Sequence, residues 1–342
     1  MSNQGLTSSA AFPLKRAEPA RNSLGRTLAG WLQASHMSHL GIANTMRLAS
    51  TFNRIRFRRQ DRWRRELYRN ELAALLEENG APTRPAIQLN DGWAVDASLS
   101  LPHLGRVLED SEKIIAERSG ARLSPDSYRS YFQDVWKTED LEQYPSFLDF
   151  ATSSDMLATV ANYLKCIPTL STTLPPGIRF VESNAAFDDD PDHPKDSQLY
   201  HIDYYSHPNV YAIVALRDVT PESGPWTFLP ISVSQKAGNA LGYWGRRRGY
   251  RIGDEDVYSA ADRKDVIEFC YPRGSVLFTD SSACFHYGSR NSITPRFQLM
   301  IGYSGVCRSD FSEALLPPKI YPTRPTDSRL RKMVLNKNIL GI

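Results

Sequence analysis

The hydrophobic and polar positions divide the chain into a mainly helical first half and a β-rich second half. Apolar residues recur at intervals of three and four over 66–78, 104–118 and 146–164, which predicts three helices. After Pro168 the pattern changes to short apolar and β-branched runs that are separated by Gly, Pro, Asn and Asp. These runs predict strands at 178–183, 210–219, 225–231, 265–271, 274–280 and 296–304, and a short strand at the start of 92–101.

Many short strands with turns between them are typical of two packed antiparallel sheets, so the sequence predicts a β-sandwich or jelly-roll barrel rather than a βαβ fold. Residues 238–264 interrupt the strands as one long excursion, and segments of that length often form lids or binding elements. The length of 342 residues favours one large domain with a helical extension. We place the boundary in a proline-containing linker, which gives a basic, partly disordered and helical extension over 1–85 and a single domain over 86–342.

Charge is distributed unevenly along the chain. The net charge is only +3, yet residues 1–70 contain thirteen Lys and Arg against three acidic residues. Eight of these arginines lie within 52–69 among aromatic residues, a composition that suits a helix with solvated or paired arginines and also contact with an anionic surface. The 41% hydrophobic and 23% charged residues are typical of a globular protein with a substantial core. A nucleic-acid partner is not expected.

The cysteines indicate a reducing environment, because the four thiols show no CxxC pair and no regular spacing. No apolar secretory segment precedes them, and no run approaches the roughly 18 apolar residues of a membrane span. We therefore expect a cytoplasmic protein without a transmembrane segment.

A candidate metal site lies in the segment SQLYHIDYYSH, residues 197–207. Side chains alternate faces along a strand, so a strand here would direct His201 and Asp203 to the same side. His286 follows another β-prone run far downstream and offers a third ligand. Two imidazoles and one carboxylate on one side of a metal suit non-haem Fe(II), because the opposite positions stay open for oxygen chemistry.

A candidate anion-binding arginine follows the distal histidine. Arg296 lies ten residues after His286, and the turn residues between them predict a chain reversal. A reversal would return the guanidinium to within one small-molecule length of His286, where it could bind a carboxylate through two parallel hydrogen bonds. Arg290 is the alternative cation in this segment.

The order of these residues resembles the phytanoyl-CoA dioxygenase family of Fe(II)/2-oxoglutarate oxygenases. The matching segments are 197–203, 223–225, 229–230, 274–280 and 286–296. The resemblance implies a double-stranded β-helix (jelly-roll, cupin-like) core with N-terminal and flanking helices, which makes the fold mainly β with α. It also implies a dioxygenase, an oxidoreductase that uses O2 to hydroxylate or otherwise oxidise a small organic or lipid-like substrate and releases succinate and CO2.

The resemblance assigns roles to individual residues as well. The residues that would bind Fe(II) are His201, Asp203 and His286. Arg296 would hold the distal carboxylate of the cosubstrate 2-oxoglutarate. Relatives that halogenate lack the carboxylate ligand, so Asp203 favours hydroxylation.

Two further residues are candidates for cofactor-binding contacts with 2-oxoglutarate. Gln198 precedes His201 by three residues, and it is equally suited to an exposed strand edge. Ser289 matches a serine that follows the distal histidine in the family, but the inserted Tyr287 lengthens that segment here and changes the expected position of the serine.

Two other functions fit the same pattern. One is a non-catalytic member of the fold that binds a ligand or a partner, and the other is an enzyme that uses a different metal without 2-oxoglutarate. The intact set of metal ligands and arginine favours the dioxygenase over both.

Overall fold

The computed structural model describes most of the chain. The described residues are 40–121, 123, 130–137, 139–170, 177–188, 190–245, 249–312 and 321–339. The disorder expected at the start of the extension, over 1–30, falls on residues outside this part.

Nine α-helices lie in the described part of the chain. They are α1 (Ile42–Arg56), α2 (Arg58–Glu78), α3 (Leu104–Arg118), α4 (Asp140–Gln143), α5 (Ser146–Ala151), α6 (Ser154–Leu164), α7 (Ile231–Ala240), α8 (Asp254–Ala260) and α9 (Arg329–Leu335). The helix predicted over 104–118 is confirmed with its bounds. The helix predicted over 146–164 is interrupted, because Ser153 adopts an extended conformation at the N-cap position of α6. The Thr152 hydroxyl before it donates back to the Leu148 carbonyl at 2.5 Å.

The strands form two antiparallel sheets. Their bounds are β1 (Trp93–Asp96), β2 (Phe132–Asp134), β3 (Thr169–Leu170), β4 (Ile178–Ser183), β5 (Asn209–Ala215), β6 (Thr227–Phe228), β7 (Ile267–Glu268), β8 (Val276–Asp280), β9 (His286–Tyr287) and β10 (Arg296–Ser304). The larger sheet has the order β1-β8-β5-β10-β4-β2, with β3 also paired to β10, and the smaller has the order β7-β6-β9. The bounds predicted for β4 and β10 are confirmed.

Each face of the larger sheet has its own core. Phe180 and Leu299 belong to one face, which packs against the helices α2, α3, α5, α6 and α9. Val181 and Met300 belong to the opposite face, which packs against Phe228 of the smaller sheet. Neighbouring residues of one strand thus enter different cores, as the period of two requires. Two facing antiparallel sheets with helices on the outer side are the double-stranded β-helix with flanking helices that the sequence predicts.

The two N-terminal helices pack onto this framework. Leu67 and Leu75 of α2 are buried in the same core as α6. Arg64 is also buried, and its guanidinium donates to the carbonyls of Pro168 at 2.9 Å and Met333 at 2.6 Å, so this arginine differs from its solvated neighbours. None of the described helices is both long and apolar enough to cross a membrane. The division into segments 1–85 and 86–342 stays a prediction.

The excursion over 238–264 packs against the candidate metal segment. Tyr243, Tyr250 and Val257 are buried in a third cluster with Tyr200 and Ile202. The described part of this excursion therefore supports the residues on either side of His201.

Candidate metal centre

The segment 197–207 is not the strand that the alternating pattern predicts. Its backbone changes partner at successive residues: Tyr200 bridges Ile252, and His201 bridges His286. A short 3-10 helix, Asp196–Gln198, precedes these bridges, and the chain turns directly after Asp203. The strand is therefore reduced to single bridges.

The side chains nevertheless meet as predicted. One ligand atom from each of His201, Asp203 and His286 can be chosen so that all three lie within 4.8 Å of one another. The exposed fractions of the three residues are only 6%, 7% and 2%. Reciprocal backbone hydrogen bonds of 3.1 and 2.9 Å join His201 to His286, and the Asp203 amide donates to the Ser281 carbonyl at 2.8 Å. The framework thus holds three metal-binding groups at one point.

Hydrogen bonds set the tautomer of both histidines. The Nδ1 atom of His201 lies 2.8 Å from the Leu199 carbonyl, and that of His286 lies 2.9 Å from the Cys284 carbonyl. A carbonyl only accepts, so each Nδ1 donates and each Nε2 keeps its lone pair for a metal. Burial lowers the pKa of His286 and so favours the neutral, ligating form. Two neutral imidazoles and one carboxylate are a donor set that fits Fe(II).

A strand pairing and a ring stack also hold His286 in position. β9 pairs with β6, and Phe228 lies opposite His286. The Trp226 indole stacks on the imidazole. Sequence reasoning alone offers the pocket or the core as places for this tryptophan, and the structure gives it a contact with a metal-binding group.

Arg296 lines the same cavity as the three candidate ligands. Its side chain donates to the Gly224 carbonyl and to the hydroxyls of Ser183 at 3.1 Å and Ser289 at 3.0 Å. Gly224 has a φ of 62°, and a Cβ at this residue would lie 2.4 Å from the Arg290 carbonyl, so only glycine fits where Arg296 binds.

The charge of Arg296 is not neutralised within the described residues. Only 3% of the residue is exposed, no carboxylate of the described part pairs with it, and its Nε has no partner there. Burial lowers the pKa of Arg296 to about 9. A buried cation without an anion is costly, so this site is suited to a carboxylate that arrives with a ligand.

The alternative cation, Arg290, lies elsewhere. Its guanidinium stacks on Tyr287 at 3.5 Å and pairs with Asp254 of α8 at 2.9 Å. Arg290 is not among the residues that line the cavity, and Arg296 is. The structure therefore brings Arg296 to the metal-binding groups.

The two remaining candidates differ in their placement. Ser289 lines the cavity, and its hydroxyl lies 2.7 Å from that of Ser183. Gln198 is buried rather than exposed at a strand edge, and its amide donates to the Ser289 carbonyl at 2.9 Å and to Asp188 at 3.1 Å. The structure does not place Gln198 among the cavity-lining residues, so its contact with the site passes through Ser289.

Sequence reasoning missed several cavity residues. These are chiefly Arg179, Tyr205, Tyr211, Tyr250 and Arg251. Arg179 pairs with Asp134 at 2.7 Å, so its charge is already balanced. The sequence signal that could have found Arg179 is the alternation of faces along β4, which places Arg179 on the same face as Val181.

No family model matches the sequence, and no curated protein matches it. Among solved structures, the non-heme alpha ketoglutarate dependent epimerase SnoN from nogalamycin biosynthesis is 16% identical with a TM-score of 0.38, over 68% of this chain and 81% of that chain.

Two other solved structures are similar at the same level. EctD from S. alaskensis in its apoform is 15% identical with a TM-score of 0.40, over 74% of this chain and 92% of that chain. HygX from Streptomyces hygroscopicus, with nickel, 2-oxoglutarate and hygromycin B bound, is 14% identical with a TM-score of 0.38, over 62% of this chain and 82% of that chain.

Proposed function

We propose that this protein is an Fe(II)/2-oxoglutarate-dependent dioxygenase of the phytanoyl-CoA dioxygenase type, which hydroxylates or otherwise oxidises a small organic or lipid-like substrate. One observation carries the proposal: a buried His–Asp–His cluster shares its cavity with a buried arginine that no carboxylate of the described residues neutralises. The first feature suits a divalent iron, and the second suits a dicarboxylate cosubstrate.

His201, Asp203 and His286 would hold the iron through two Nε2 atoms and one carboxylate. When bound, Fe(II) and 2-oxoglutarate supply the oxidising chemistry, in which O2 is consumed, the cosubstrate becomes succinate and CO2, and the substrate is oxidised. The carbonyls of Leu199 and Cys284 keep the proton of each imidazole on Nδ1, away from the metal side.

Arg296 would bind the distal carboxylate of 2-oxoglutarate, and the Ser289 and Ser183 hydroxyls beside its Nη2 would orient it. Because the site is buried, water competes little with this ion pair. Gln198 would act on the cosubstrate indirectly, by fixing the Ser289 backbone.

The cellular environment is part of the proposal. All four cysteines are free thiols, two of them buried, which supports a reducing compartment such as the cytoplasm. The presence of Asp203 supports hydroxylation, because a carboxylate occupies the position that halogenating relatives leave open.

Anaerobic titration of the metal-free protein with Fe(II) and 2-oxoglutarate tests the proposal. We expect a visible metal-to-ligand charge-transfer band that His201→Ala and Asp203→Ala abolish. His193→Ala is the matched control and should leave the band unchanged, since His193 is exposed and its ring pairs with Asp190. Well-folded wild-type protein without the band would refute the catalytic proposal and favour a ligand- or partner-binding protein.

A further inference from the structure

A second cavity lies outside the candidate metal centre, between α1 and α7. This α1 groove encloses about 520 Å³. Arg47 and Arg54, two helical turns apart, lie on its α1 side, and His207, Asn239 and Trp244 lie among its other lining residues. No lining residue is acidic. The groove therefore combines positive charge, hydrogen-bond donors and apolar surface.

Arginines of α1 and of the first turn of α2 are available for a ligand. Within the described residues, Arg47 and Arg54 of α1 and Arg58 and Arg59 of α2 form no ion pair with a carboxylate, whereas Arg62 and Arg65 of α2 do. The α1 sequence contains no acidic residue. This part of the surface therefore attracts anions.

The other solvent-facing side of α1 is apolar. Leu48, Phe52 and Ile55 are 46%, 45% and 75% exposed. Their spacing of four and three residues places them in one row on the helix, which we call the apolar stripe. Single exposed apolar residues are ordinary, but three in one row form a contact surface.

The stripe and the groove are neighbours around the helix axis. At 100° per residue, Arg47 and Arg54 lie between the groove residue Met46 and the stripe residue Ile55. A row of arginines bordered by exposed apolar side chains matches the boundary between phosphate groups and acyl chains at a lipid surface. A free anion would use the groove and leave the stripe in water.

Buried contacts hold α1 in this position. The Asn53 amide donates to the carbonyls of Arg308 and Asp310, both at 2.9 Å. Ile42 and Ala49 are buried on the side of the helix that faces the protein. The apolar stripe therefore lies on the exposed side of a helix that packs against the rest of the protein.

We propose that α1 binds the surface of an anionic phospholipid membrane, with a lipid phosphate in the α1 groove between Arg47 and Arg54 and with Leu48, Phe52 and Ile55 in the apolar layer. The expectation of an anionic-surface contact within 52–69 is thereby extended to a defined surface that begins at residue 43. This binding does not depend on iron or on 2-oxoglutarate.

Sedimentation of the full chain with vesicles tests the proposal. We expect binding to vesicles of phosphatidylcholine mixed with phosphatidylglycerol, little binding to phosphatidylcholine alone, and weaker binding at high salt. Arg47→Gln/Arg54→Gln should reduce binding about tenfold or more. Arg106→Gln/Lys264→Gln removes the same charge from exposed positions outside α1 and should leave binding nearly unchanged.

The apolar stripe requires its own variant. Leu48→Ser/Phe52→Ser/Ile55→Ser should also weaken vesicle binding about tenfold, while inorganic phosphate still binds the groove in calorimetry. Circular dichroism of each variant checks that the fold is intact.

Three outcomes would overturn the proposal. The first is the absence of vesicle binding by the folded wild-type chain, even if inorganic phosphate binds the groove. The second is binding that the arginine and control variants weaken equally. The third is tight binding of duplex DNA without binding of vesicles, which would assign the arginines to a different partner.

Discussion

The indole of Trp226 stacks on the imidazole of His286, with ring centroids 4.5 Å apart and ring planes inclined by 16°. The stack restrains rotation of the imidazole, and the Cys284 carbonyl fixes its Nδ1. Together they direct Nε2 towards the other two candidate ligands. Residues that orient a metal ligand without binding the metal commonly change affinity tenfold or more when they are removed.

Trp226→Leu is therefore expected to weaken Fe(II) binding about tenfold, measured anaerobically by competition with a coloured chelator. Trp244→Leu, at a half-buried tryptophan that does not line the cavity of the candidate metal centre, serves as the control and should bind Fe(II) as the wild type does. Equal affinities of all three proteins would show that the stack has no orienting role.

Arg296→Met should separate cosubstrate binding from stability. Loss of a charge-assisted interaction of about 3 kcal/mol predicts roughly a hundredfold weaker binding of 2-oxoglutarate, with Fe(II) affinity retained. The free energy of unfolding in urea should stay the same or rise, because the variant removes a buried cation without an anionic partner in the described residues. Undiminished 2-oxoglutarate affinity in the folded variant would refute the assigned role.

The pH dependence of Arg296→Met follows from the direction of the pKa shift. Burial lowers the pKa of Arg296 to about 9 in the folded protein, so the unfolded chain binds its proton more tightly. At pH 7 the charge of Arg296 lowers the free energy of unfolding by its full amount. This effect decreases as the pH rises above about 9, because Arg296 then loses its charge in the folded state. The stability difference between variant and wild type in urea should therefore shrink above pH 9.

Gln198→Ala distinguishes a direct contact from a supporting one. The Gln198 amide bonds to the Ser289 carbonyl and to Asp188, so its removal should lower the free energy of unfolding by about 1 to 2 kcal/mol. The affinity for 2-oxoglutarate should change by only about threefold, far less than in Arg296→Met. Gln235→Ala, at an exposed position on α7, is the control for stability. A loss of cosubstrate binding as large as that of Arg296→Met would indicate direct contact.

Asn53→Ala should loosen α1. The substitution leaves two buried carbonyls, those of Arg308 and Asp310, without the donor they share, at a cost of about 1 to 3 kcal/mol. We expect faster amide hydrogen exchange over 42–56 than in the wild type. Thr51→Ala, which removes only an exposed hydroxyl bonded to the Arg47 carbonyl, should exchange normally. Equal protection in both variants would show that Asn53 does not anchor the helix.

Elements with long, regular patterns were predictable from the sequence. The bounds of α3, β4 and β10 match, because α3 buries one face in a core and the two strands have a core on each face. The run 225–231 was less predictable, since only Thr227–Phe228 is a strand and Ile231 already begins α7 after Pro230.

The sequence predicted which residues form the candidate site better than it predicted their backbone conformation. The spacing of His201 and Asp203 gave their common direction, but the strand there was wrong, because Tyr200 and His201 pair with different and distant segments. The residues next to a position in the sequence do not predict which distant segment its backbone pairs with. The same applies to Arg179, whose neutralisation by Asp134 depends on the pairing of β2 with β4.

The backbone bridge between His201 and His286 joins residues eighty-five positions apart in the sequence. Contacts of such long separation form late, after most of the loop-closure entropy has been lost. We therefore expect the metal-binding groups to come together only when the two sheets have closed on each other. Metal binding would therefore require completed folding, and partly folded chains would remain free of a redox-active ion.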